Sequence, residues 1–418
     1  MSFVHKTDAV VVGAGPAGMM SAIQIAQEGF SVILAEKQAR PGIKLLMTGN
    51  GRCNLSNTLS MEFWEDKIPR NYKFLSSAFH AFSNEDLRTW MDLRQVKLSS
   101  DSEGRLFPES NTAKTILSVF ETELSKGRAS IIQQRISSLQ IHQHAIQGVA
   151  HEDGFMAESK HIVLCCGGKS WPQTGSNGEG YVLAQQAGHH IIDPRPSLTP
   201  LAIKGAPFHD LAGTSLSGVT IRLLDQNAKE AKSFHGPLLL THQGISGPTV
   251  LNLSAFLSHP SPQLLIDWLP DISEAEILQQ WAEYPRKKSM KQWLGGLRIL
   301  PQRLCQWFLG DFHSWQDSSP MLWAKKERFA MLDKLKRLPC DVSPLPSFSE
   351  SMVTSGGVSV QEISPHTMES LLCRGLYFAG EVIDLDALTG GFNLQIALST
   401  GFLAGRSVVK ALRNFLQK

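Results

Sequence analysis

A glycine turn close to the amino terminus constrains this chain more than any other feature. Residues Asp8–Val12 form a short apolar run that predicts a β-strand, and Gly13-Ala-Gly-Pro-Ala-Gly18 follows it directly. Residues Pro16–Glu28 have helical spacing, Gly29 ends the predicted helix, and Ser31–Ala35 predict a second strand. This order of strand, turn, helix and strand is typical of a Rossmann unit that binds a dinucleotide.

The three glycines of the turn serve different purposes in such a unit. Gly13 permits the tight turn, Gly15 lets the backbone approach a pyrophosphate, and Gly18 lets the helix pack closely on the strand. The helix amino end adds unpaired N–H groups and about half a positive charge. Glu36 closes the second strand, where a carboxylate can accept hydrogen bonds from ribose hydroxyls and disfavours a 2′-phosphate.

The turn alone allows either NAD or FAD, and the carboxyl-terminal segment favours FAD. Residues Gly375–Ala379 predict a strand that leads to Gly380 and Glu381, and a helix is predicted from about Gly391 to Leu412. An acid after such a strand suits the ribityl chain of FAD, and the helix start can face the pyrimidine edge of the flavin. The alternative is that Glu381 and Asp384 only solvate a loop.

Composition sets broad limits on the class of protein. The 418 residues suggest two or three domains, and 42% hydrophobic and 19% charged residues exclude a disordered chain. A net charge of +2 gives no strong field for nucleic acid. The sequence has no apolar run of membrane-spanning length, no signal-peptide pattern and no CxxC pair among its six cysteines. We therefore expect a cytoplasmic α/β enzyme.

Two proline-rich stretches divide the chain. They cover residues 193–200 and 339–346 and are interpreted as crossings between domains. Residues 201–270 carry short β-like runs, whereas residues 272–338 have helical spacing, with Ser273 and Glu276 placed as a capping box. The predicted domains are residues 1–195 and 341–418 for a Rossmann-like FAD-binding domain, 196–270 for a β-rich insertion and 271–340 for a helical insertion.

The chain resembles the bacterial FAD-dependent flavoproteins known as aminoacetone-oxidase-like or BaiN/YhiN-like NAD(P)/FAD-dependent oxidoreductases. The resemblance covers nearly the whole chain. It rests on six strings, which are Val11–Gly18, Lys44–Asn57 with its Gly-Arg-Cys-Asn segment, Gly167–Ser176, Thr241–Pro248, Thr354–Gly357 and Gly375–Gln395 with its Gly-Gly-Phe-Asn-Leu-Gln segment. It implies a glutathione-reductase-type FAD-binding domain from both chain ends, with a β-barrel-like and a helical insertion.

The same resemblance implies which residues contact FAD. They are Gly13, Ala14, Gly15, Pro16, Ala17, Gly18, Glu36, Lys37, Lys44, Gly51, Arg52, Cys53, Asn54, Gly167, Gly168, Gly380, Glu381, Gly391, Phe392, Asn393, Leu394 and Gln395. This chain departs from the family pattern at two positions. Similar sequences often have arginine at the position of Ile43 and glycine at the position of Asn50. Neither departure affects the phosphate turn.

Several polar residues allow two interpretations each. Lys44 and Arg52 can neutralise the pyrophosphate or the flavin N1–C2=O edge, or form surface ion pairs. Residues 167–180 can close over the cofactor or form a mobile loop. His242 can move a proton beside the flavin, although a structural histidine is the simpler reading.

The cysteines and the remaining histidines give weaker signals. Cys53 lacks a nearby partner cysteine, which favours packing over redox catalysis, and a vicinal Cys165–Cys166 disulfide is the alternative to two small buried residues. The histidine pairs at 189–190 and at 142 and 144 have no ligand-spaced carboxylate or cysteine, so no metal site is expected.

The helical insertion carries basic clusters at 286–288, 325–326 and 334–337 among Trp281, Trp293, Trp307 and Trp323. We expect core packing for the tryptophans and a solvated face for the lysines, with RNA binding as the rival interpretation.

The leading hypothesis is an FAD-dependent oxidoreductase that transfers hydride between flavin N5 and a small organic substrate. Its electron partner is NADH, NADPH or oxygen, and its catalytic acid or base is unassigned. By analogy the substrate is a small amine or an unsaturated carbonyl compound. The rival is a flavin-carrying RNA-binding or regulatory protein.

Overall fold

A computed structural model of the chain describes residues 4–257, 262–345 and 347–417. The described residues group into two compact units. Unit 1 contains the residues up to Ser197 and those from Phe348 onward, and unit 2 contains Leu198–Ser347. Both ends of the chain therefore contribute to unit 1.

Unit 1 contains strands β1–β12, β19 and β20. They are β1 Val4–Lys6, β2 Ala9–Val12, β3 Val32–Glu36, β4 Ser56–Asn57, β5 Leu98–Ser100, β6 Arg105–Pro108, β7 Ala129–Gln133, β8 Ser138–His142, β9 Ala145–Ala150, β10 Met156–Glu158, β11 Ile162–Leu164, β12 Ile191–Ser197, β19 Val353–Val358 and β20 Leu376–Phe378. Its helices are α1 Pro16–Gln27, α2 Ile43–Met47, α3 Ser76–Ala81, α4 Asn84–Asp92, α5 Ala113–Ser125, α6 Glu179–Gln186 and α12 Phe392–Leu416.

A five-stranded parallel sheet forms the centre of unit 1. Its order is β20-β11-β2-β3-β7, and each neighbouring pair is parallel. The carboxyl ends of parallel strands meet at one edge. Gly13, Glu36, Gly167 and Gly380 follow or end four of these strands, so the sheet brings the predicted dinucleotide segments to one edge.

Helix α1 lies against α12, and small residues allow the close approach. A Cβ at Gly401 would lie 2.3 Å from the Ala17 carbonyl oxygen, and one at Gly405 would lie 2.6 Å from that of Ser21. Packing against both the sheet and α12 buries residues 17–26 of α1 on every side. Helix α12 runs from Phe392 to Leu416, which is longer than the predicted helix at Gly391–Leu412.

Unit 2 contains the remaining strands and helices. The strands are β13 Leu201–Ala202, β14 Ser215–Leu224, β15 Glu230–Leu240, β16 Gly244–Ser246, β17 Gln263–Asp267 and β18 Leu338–Asp341, and the helices are α7 Pro248–Ser254, α8 Glu274–Ala282, α9 Met290–Gly296, α10 Gln302–Leu309 and α11 Lys325–Lys336. The sheet is antiparallel in the order β13-β16-β15-β14-β17-β18. A bridge between Ile203 and Val342 joins its two edges, so the sheet closes into a small barrel.

Both proline-rich stretches enter strands instead of serving only as linkers. β12 contains Pro194 and Pro196 and pairs with β19 in a two-stranded sheet, and β18 contains Pro339 and pairs with β17 at the end of the barrel sheet. Proline lacks an N–H group and is tolerated at such edge positions. Pro346, at the end of the second stretch, lies outside the described residues.

The helices of unit 2 share one core with its barrel, so the two predicted insertions pack as one body. The predicted capping box forms, because Ser273 Oγ accepts from Glu276 N–H and the Glu276 carboxylate accepts from Ser273 N–H. Trp281, Trp293 and Trp323 are buried in this core, as the packing interpretation predicted. Lys336 contradicts the solvated-face interpretation, because it is 6% exposed and its Nζ lies 2.9 Å from the Asp267 carboxylate.

In the described part of the chain, no helix is long and apolar enough to cross a membrane.

Candidate functional site

The three glycines of the turn have different surroundings. A Cβ at Gly13 would lie 2.5 Å from the Cys165 carbonyl oxygen, and one at Gly18 would lie 1.9 Å from that of Gly13. A Cβ at Gly15 would meet no atom within 4 Å. Gly13 and Gly18 are therefore required by the fold itself, whereas Gly15 borders open space.

This open space lies at the amino end of α1. Gly15 is the residue before the helix, no side chain caps the helix start, and the first turn has no acidic residue. Helix starts leave backbone N–H groups unpaired and carry a partial positive charge. An uncapped helix start beside a backbone position with room for another group fits the pyrophosphate of a dinucleotide.

Glu36 ties the second strand to the glycine turn. Its Oε2 accepts from the Ala14 N–H at 2.9 Å, and its Oε1 accepts from the Gln38 N–H at 2.8 Å. Each carboxylate oxygen can accept a second hydrogen bond. Glu36 is thus fixed at the sheet edge with acceptor capacity left for a ribose hydroxyl pair.

Lys37 is directed toward the loop at 167–180. Its Nζ donates to Asn177 Oδ1 at 2.9 Å and lies 2.9 Å from Glu179 Oε2. A Cβ at Gly175 would lie 2.7 Å from the Gln38 side chain. The loop therefore packs beside the segment that follows Glu36, which is where the adenosine half of a dinucleotide would lie.

Lys44 and Glu381 form a half-buried ion pair rather than a purely surface one. Lys44 Nζ lies 2.7 Å from Glu381 Oε2, while Glu381 Oε1 accepts from Ser170 Oγ at 2.8 Å and from Thr354 N–H at 2.7 Å. Burial acts to raise the pKa of Glu381, but Lys44 and these donors outweigh it and hold the pKa below its ordinary value. Glu381 is therefore ionised. It connects its own segment, Gly375–Gln395, to three other segments that carry the family resemblance, which contain Lys44, Ser170 and Thr354.

The Gly-Arg-Cys-Asn segment and the start of α12 bind one another. With its amide oriented to satisfy both groups, Asn54 accepts from Gly391 N–H at 3.1 Å and donates to the Ser56 carbonyl at 3.2 Å. Ser56 Oγ donates to Gln395 Oε1 at 2.8 Å, and Asn57 Nδ2 donates to the Gly390 carbonyl at 3.0 Å. These contacts fix the amino end of α12 on a segment more than 300 residues away in sequence.

The side chains at the start of α12 face the protein. Phe392 packs edge-on against Trp64, Asn393 bridges the N–H and carbonyl of Ala387, and Gln395 is fully buried. The helix start at Gly391 has no side-chain cap and no acidic residue in its first turn. Gly391 N–H is bound by Asn54 and Gln395 N–H by the Gly391 carbonyl, so the N–H groups of residues 392–394 are the backbone donors that can approach the edge of a flavin.

Cys53 and Arg52 both pack against neighbouring groups of unit 1. Cys53 is buried with φ of +64°, and burial raises the pKa of its thiol to about 12, which makes a thiolate nucleophile unavailable near neutral pH. The Arg52 guanidinium lies over the Phe107 ring, 4.7 Å from its centroid. All six cysteines are free thiols, so Cys165 and Cys166 form no vicinal disulfide.

Two histidines noted in the sequence have contrasting surroundings. His242 is exposed in unit 2, with its ring centroid 5.1 Å from that of His209. His189 is buried between Glu362, at 3.1 Å, and Ser370 Oγ, at 2.7 Å. The Ser370 hydroxyl also accepts from the N–H groups of Leu372 and Cys373, so this triad-like group stabilises a turn and presents no accessible nucleophile.

Within the described ranges, no cluster of three His, Cys, Asp or Glu is placed to hold a metal ion.

Sequence reasoning missed a charged cluster beside the α12 start. The Arg70 guanidinium contacts both Asp386 and Ser355, and Ser197 Oγ donates to Asp386 at 2.9 Å. Asn71 Nδ2 donates to the Asp384 carbonyl at 2.8 Å. Burial raises the pKa of Asp386 to about 6, and neighbouring Asp384 adds to the rise, although Arg70 and Ser197 oppose it. A clue was Asp384-Leu-Asp386, two acids in an otherwise apolar segment.

Comparison with known proteins identifies the family. The profile described as "HI0933-like protein Rossmann domain" matches residues 7–407. The chain belongs to the HI0933-like family. This membership confirms the α/β fold with a Rossmann-type FAD-binding domain, FAD as the cofactor, and assignment as an FAD-dependent oxidoreductase.

Relatives in the family match over nearly their full length. The chain is 30% identical over 402 residues to the ribosomal RNA dihydrouridine synthase of Haemophilus influenzae, covering 96% of this chain and 98% of that protein. It is 28% identical over 413 residues to the 3-dehydro-bile acid delta(4,6)-reductase of Clostridium scindens, again covering 96% and 98%. A quinol-fumarate reductase structure shares the fold, with a TM-score of 0.50 at 15% identity over 98% of this chain and 71% of that one.

Proposed function

We propose that this protein is an FAD-dependent reductase that adds two hydrogen atoms across a carbon–carbon double bond conjugated to a carbonyl group. The relatives carry the names dihydrouridine synthase and delta(4,6)-reductase. Uridine has a C5=C6 bond conjugated to its C4 carbonyl, and a 3-oxo-4,6-diene has the same kind of conjugated system. Reduction of such a bond is the chemistry that both names share.

The observation that carries this proposal is the fixed amino end of α12. Asn54, Ser56 and Asn57 hold this helix start in place, and Gly391 supplies no side chain to cap the N–H groups of the first turn. Bound FAD supplies a two-electron carrier that passes hydride from N5. Backbone N–H groups at a rigid helix start favour negative charge on the pyrimidine edge, and hence the reduced ring.

Uridine in ribosomal RNA is the first substrate to test. A second relative, from Escherichia coli, is also named ribosomal RNA dihydrouridine synthase and is 28% identical over 408 residues. Unit 2 exposes Arg286, Lys287, Lys288, Lys325 and Lys326, side chains that can neutralise RNA phosphates. This choice departs from our sequence-based expectation of a small-molecule substrate. A conjugated steroid-like ketone is the second candidate, because of the bile acid reductase relative.

We propose NADPH or NADH as the electron donor. Among the described residues, the Gly-x-Gly-x-x-Gly turn at 13–18 is the one dinucleotide motif that follows a strand and opens a helix. The nicotinamide would therefore visit the flavin face and leave before the substrate binds. This order predicts ping-pong kinetics, with parallel lines in double-reciprocal plots of rate against one substrate at several concentrations of the other.

The test uses the purified holoprotein without oxygen. We expect NADPH or NADH to bleach the flavin absorbance, and either ribosomal RNA transcript or a 3-oxo-4,6-diene to restore it. Mass spectrometry of RNA nucleosides would then show uridine heavier by two hydrogen atoms. Charge reversal at Arg286, Lys287 and Lys288 should weaken RNA turnover by at least about tenfold, whereas reversal of the exposed Lys229 serves as the control. Bleaching by neither nucleotide, or recovery with neither substrate, would contradict the proposal.

A further inference from the structure

Arg70 is the most unusual charged side chain near the start of α12. Its Nη2 contacts both Asp386 Oδ1 and Ser355 Oγ. The Asp386 side chain is fully buried, whereas the Arg70 side chain keeps 32% of its surface exposed. The Nη2 end of the guanidinium is therefore fixed by buried partners, while about a third of the Arg70 side-chain surface stays exposed.

The carboxylate that holds Arg70 is itself held in place. Ser197 Oγ donates to Asp386 Oδ2 at 2.9 Å, so each carboxylate oxygen has a defined partner. Neighbouring Asp384 is fixed through its carbonyl and its carboxylate by Asn71 Nδ2. A guanidinium held by a buried carboxylate loses little further freedom when it binds a ligand.

The cluster adjoins three segments that surround the α12 start. Ser355 follows Thr354, whose N–H binds Glu381. Asp386 precedes Ala387, which the Asn393 side chain ties to the first turn of α12. Leu388 N–H donates to the Lys67 carbonyl at 2.8 Å, which links this loop to the segment that carries Arg70. The cluster thus lies beside the helix start assigned to the flavin edge.

We infer that Arg70 binds the carbonyl oxygen of the substrate, with Asp386 and Ser355 as its positioning residues. This inference rests on the proposed function, and it assigns Arg70 to binding the substrate of that reaction. Arginine suits this role because it stays charged at all physiological pH values and presents five N–H donors in a planar fork. Both contacts use Nη2, so the other N–H groups of the fork are left to bind a ligand.

The reaction balances with this assignment. Bound FAD, once reduced by NAD(P)H, would supply hydride to the β-carbon of the conjugated bond. The π electrons shift toward the carbonyl oxygen, which gains negative charge as an enolate and is stabilised by the Arg70 N–H groups. A proton from water reaches the α-carbon and the carbonyl re-forms. The sum is NAD(P)H, one proton and the unsaturated substrate converted to NAD(P)⁺ and the dihydro product.

The experiment separates substrate chemistry from cofactor binding. Arg70→Gln, Arg70→Lys and the control Arg88→Gln are compared, since Arg88 belongs to an exposed ion pair with Glu85. Flavin content and the rate of anaerobic bleaching by NAD(P)H are measured first. Reoxidation of the bleached protein by RNA transcript or the 3-oxo-4,6-diene follows. A titration with 4-chlorophenolate provides a binding readout that needs no turnover, because a phenolate mimics the enolate oxygen and absorbs at long wavelength when stacked on oxidised flavin.

We expect Arg70→Gln to keep its flavin and to bleach at a rate within about twofold of the parent, while reoxidation slows by about 100-fold. Phenolate affinity should fall by at least about tenfold, and Arg70→Lys should recover part of both losses because it restores the charge without the fork. Arg88→Gln should behave as the parent. Unchanged reoxidation and phenolate affinity in Arg70→Gln would overturn the inference, as would loss of flavin from both Arg70 variants. Failure of the parent to reduce either substrate would contradict the proposed function, while the phenolate titration would still test Arg70.

Discussion

Gly15→Val yields a folded protein that does not retain FAD. Gly15 has φ of −77° and ψ of −178°, an ordinary extended conformation for valine, and a Cβ there meets no protein atom within 4 Å. The fold therefore accepts the side chain. The pyrophosphate does not, because the branched side chain occupies the space beside the uncapped start of α1.

We expect flavin affinity to fall by at least about 100-fold, which corresponds to about 2.7 kcal/mol. The measurement is the ratio of absorbance near 450 nm, which is typical of flavins, to protein absorbance, together with a thermal unfolding curve of the apoprotein. Gly295→Val provides the matched control, because Gly295 in α9 also has no atom within 4 Å of its added Cβ. Full flavin content in Gly15→Val would contradict our placement of the phosphates.

Gly391→Ala destabilises unit 1 and weakens flavin binding together. Gly391 has φ of +97°, and an added Cβ would lie 2.2 Å from the Ser56 carbonyl oxygen. Ser56 is fixed by the hydrogen bond from its hydroxyl to buried Gln395. Its backbone therefore cannot move away without breaking the contacts that hold the start of α12. Positive φ and overpacking each destabilise by about 1–3 kcal/mol, which gives an expected loss of about 2–6 kcal/mol.

Urea unfolding followed by near-ultraviolet circular dichroism measures this loss, and flavin release is recorded in the same titration. Gly188→Ala separates the cost of the positive φ from the cost of overpacking. Gly188 has φ of +88° but no atom within 4 Å of an added Cβ, so its loss should stay near 1 kcal/mol. Equal stability of the two variants would show that the contact between Ser56 and Gly391 does not hold the helix start.

The sequence predicts those parts of the site that depend on residues close together in the chain. The glycine turn, the helix after it and Glu36 all lie within the first 36 residues, and local rules of turns and parallel strands suffice to place them. The placement of the Gly-Gly-Phe-Asn segment at a helix start followed from the residues, whereas the FAD contacts assigned to Cys53 and Asn54 came from the resemblance. The hydrogen bonds between the Gly-Arg-Cys-Asn and Gly-Gly-Phe-Asn segments could not be predicted, because no local pattern relates Asn54 to Gly391.

Contacts between residues far apart in the sequence explain the remaining differences between the predicted and the observed structure. Arg70 and Asp386 lie 316 positions apart, and each alone is an ordinary charged residue in the sequence. Lys336 looked solvated among neighbouring lysines and is buried because Asp267 neutralises it. Pro194 and Pro196 indicated a linker, yet β12 accepts them because it belongs to a two-stranded sheet.

Identification of the flavin released from the purified protein tests the central claim most directly. The protein is isolated, its absorbance spectrum is recorded, and the cofactor is released by denaturation and identified by chromatography and mass. We predict a yellow protein that releases close to one FAD per chain. A colourless protein that stays colourless after incubation with FAD, or one that releases only FMN, would contradict the account.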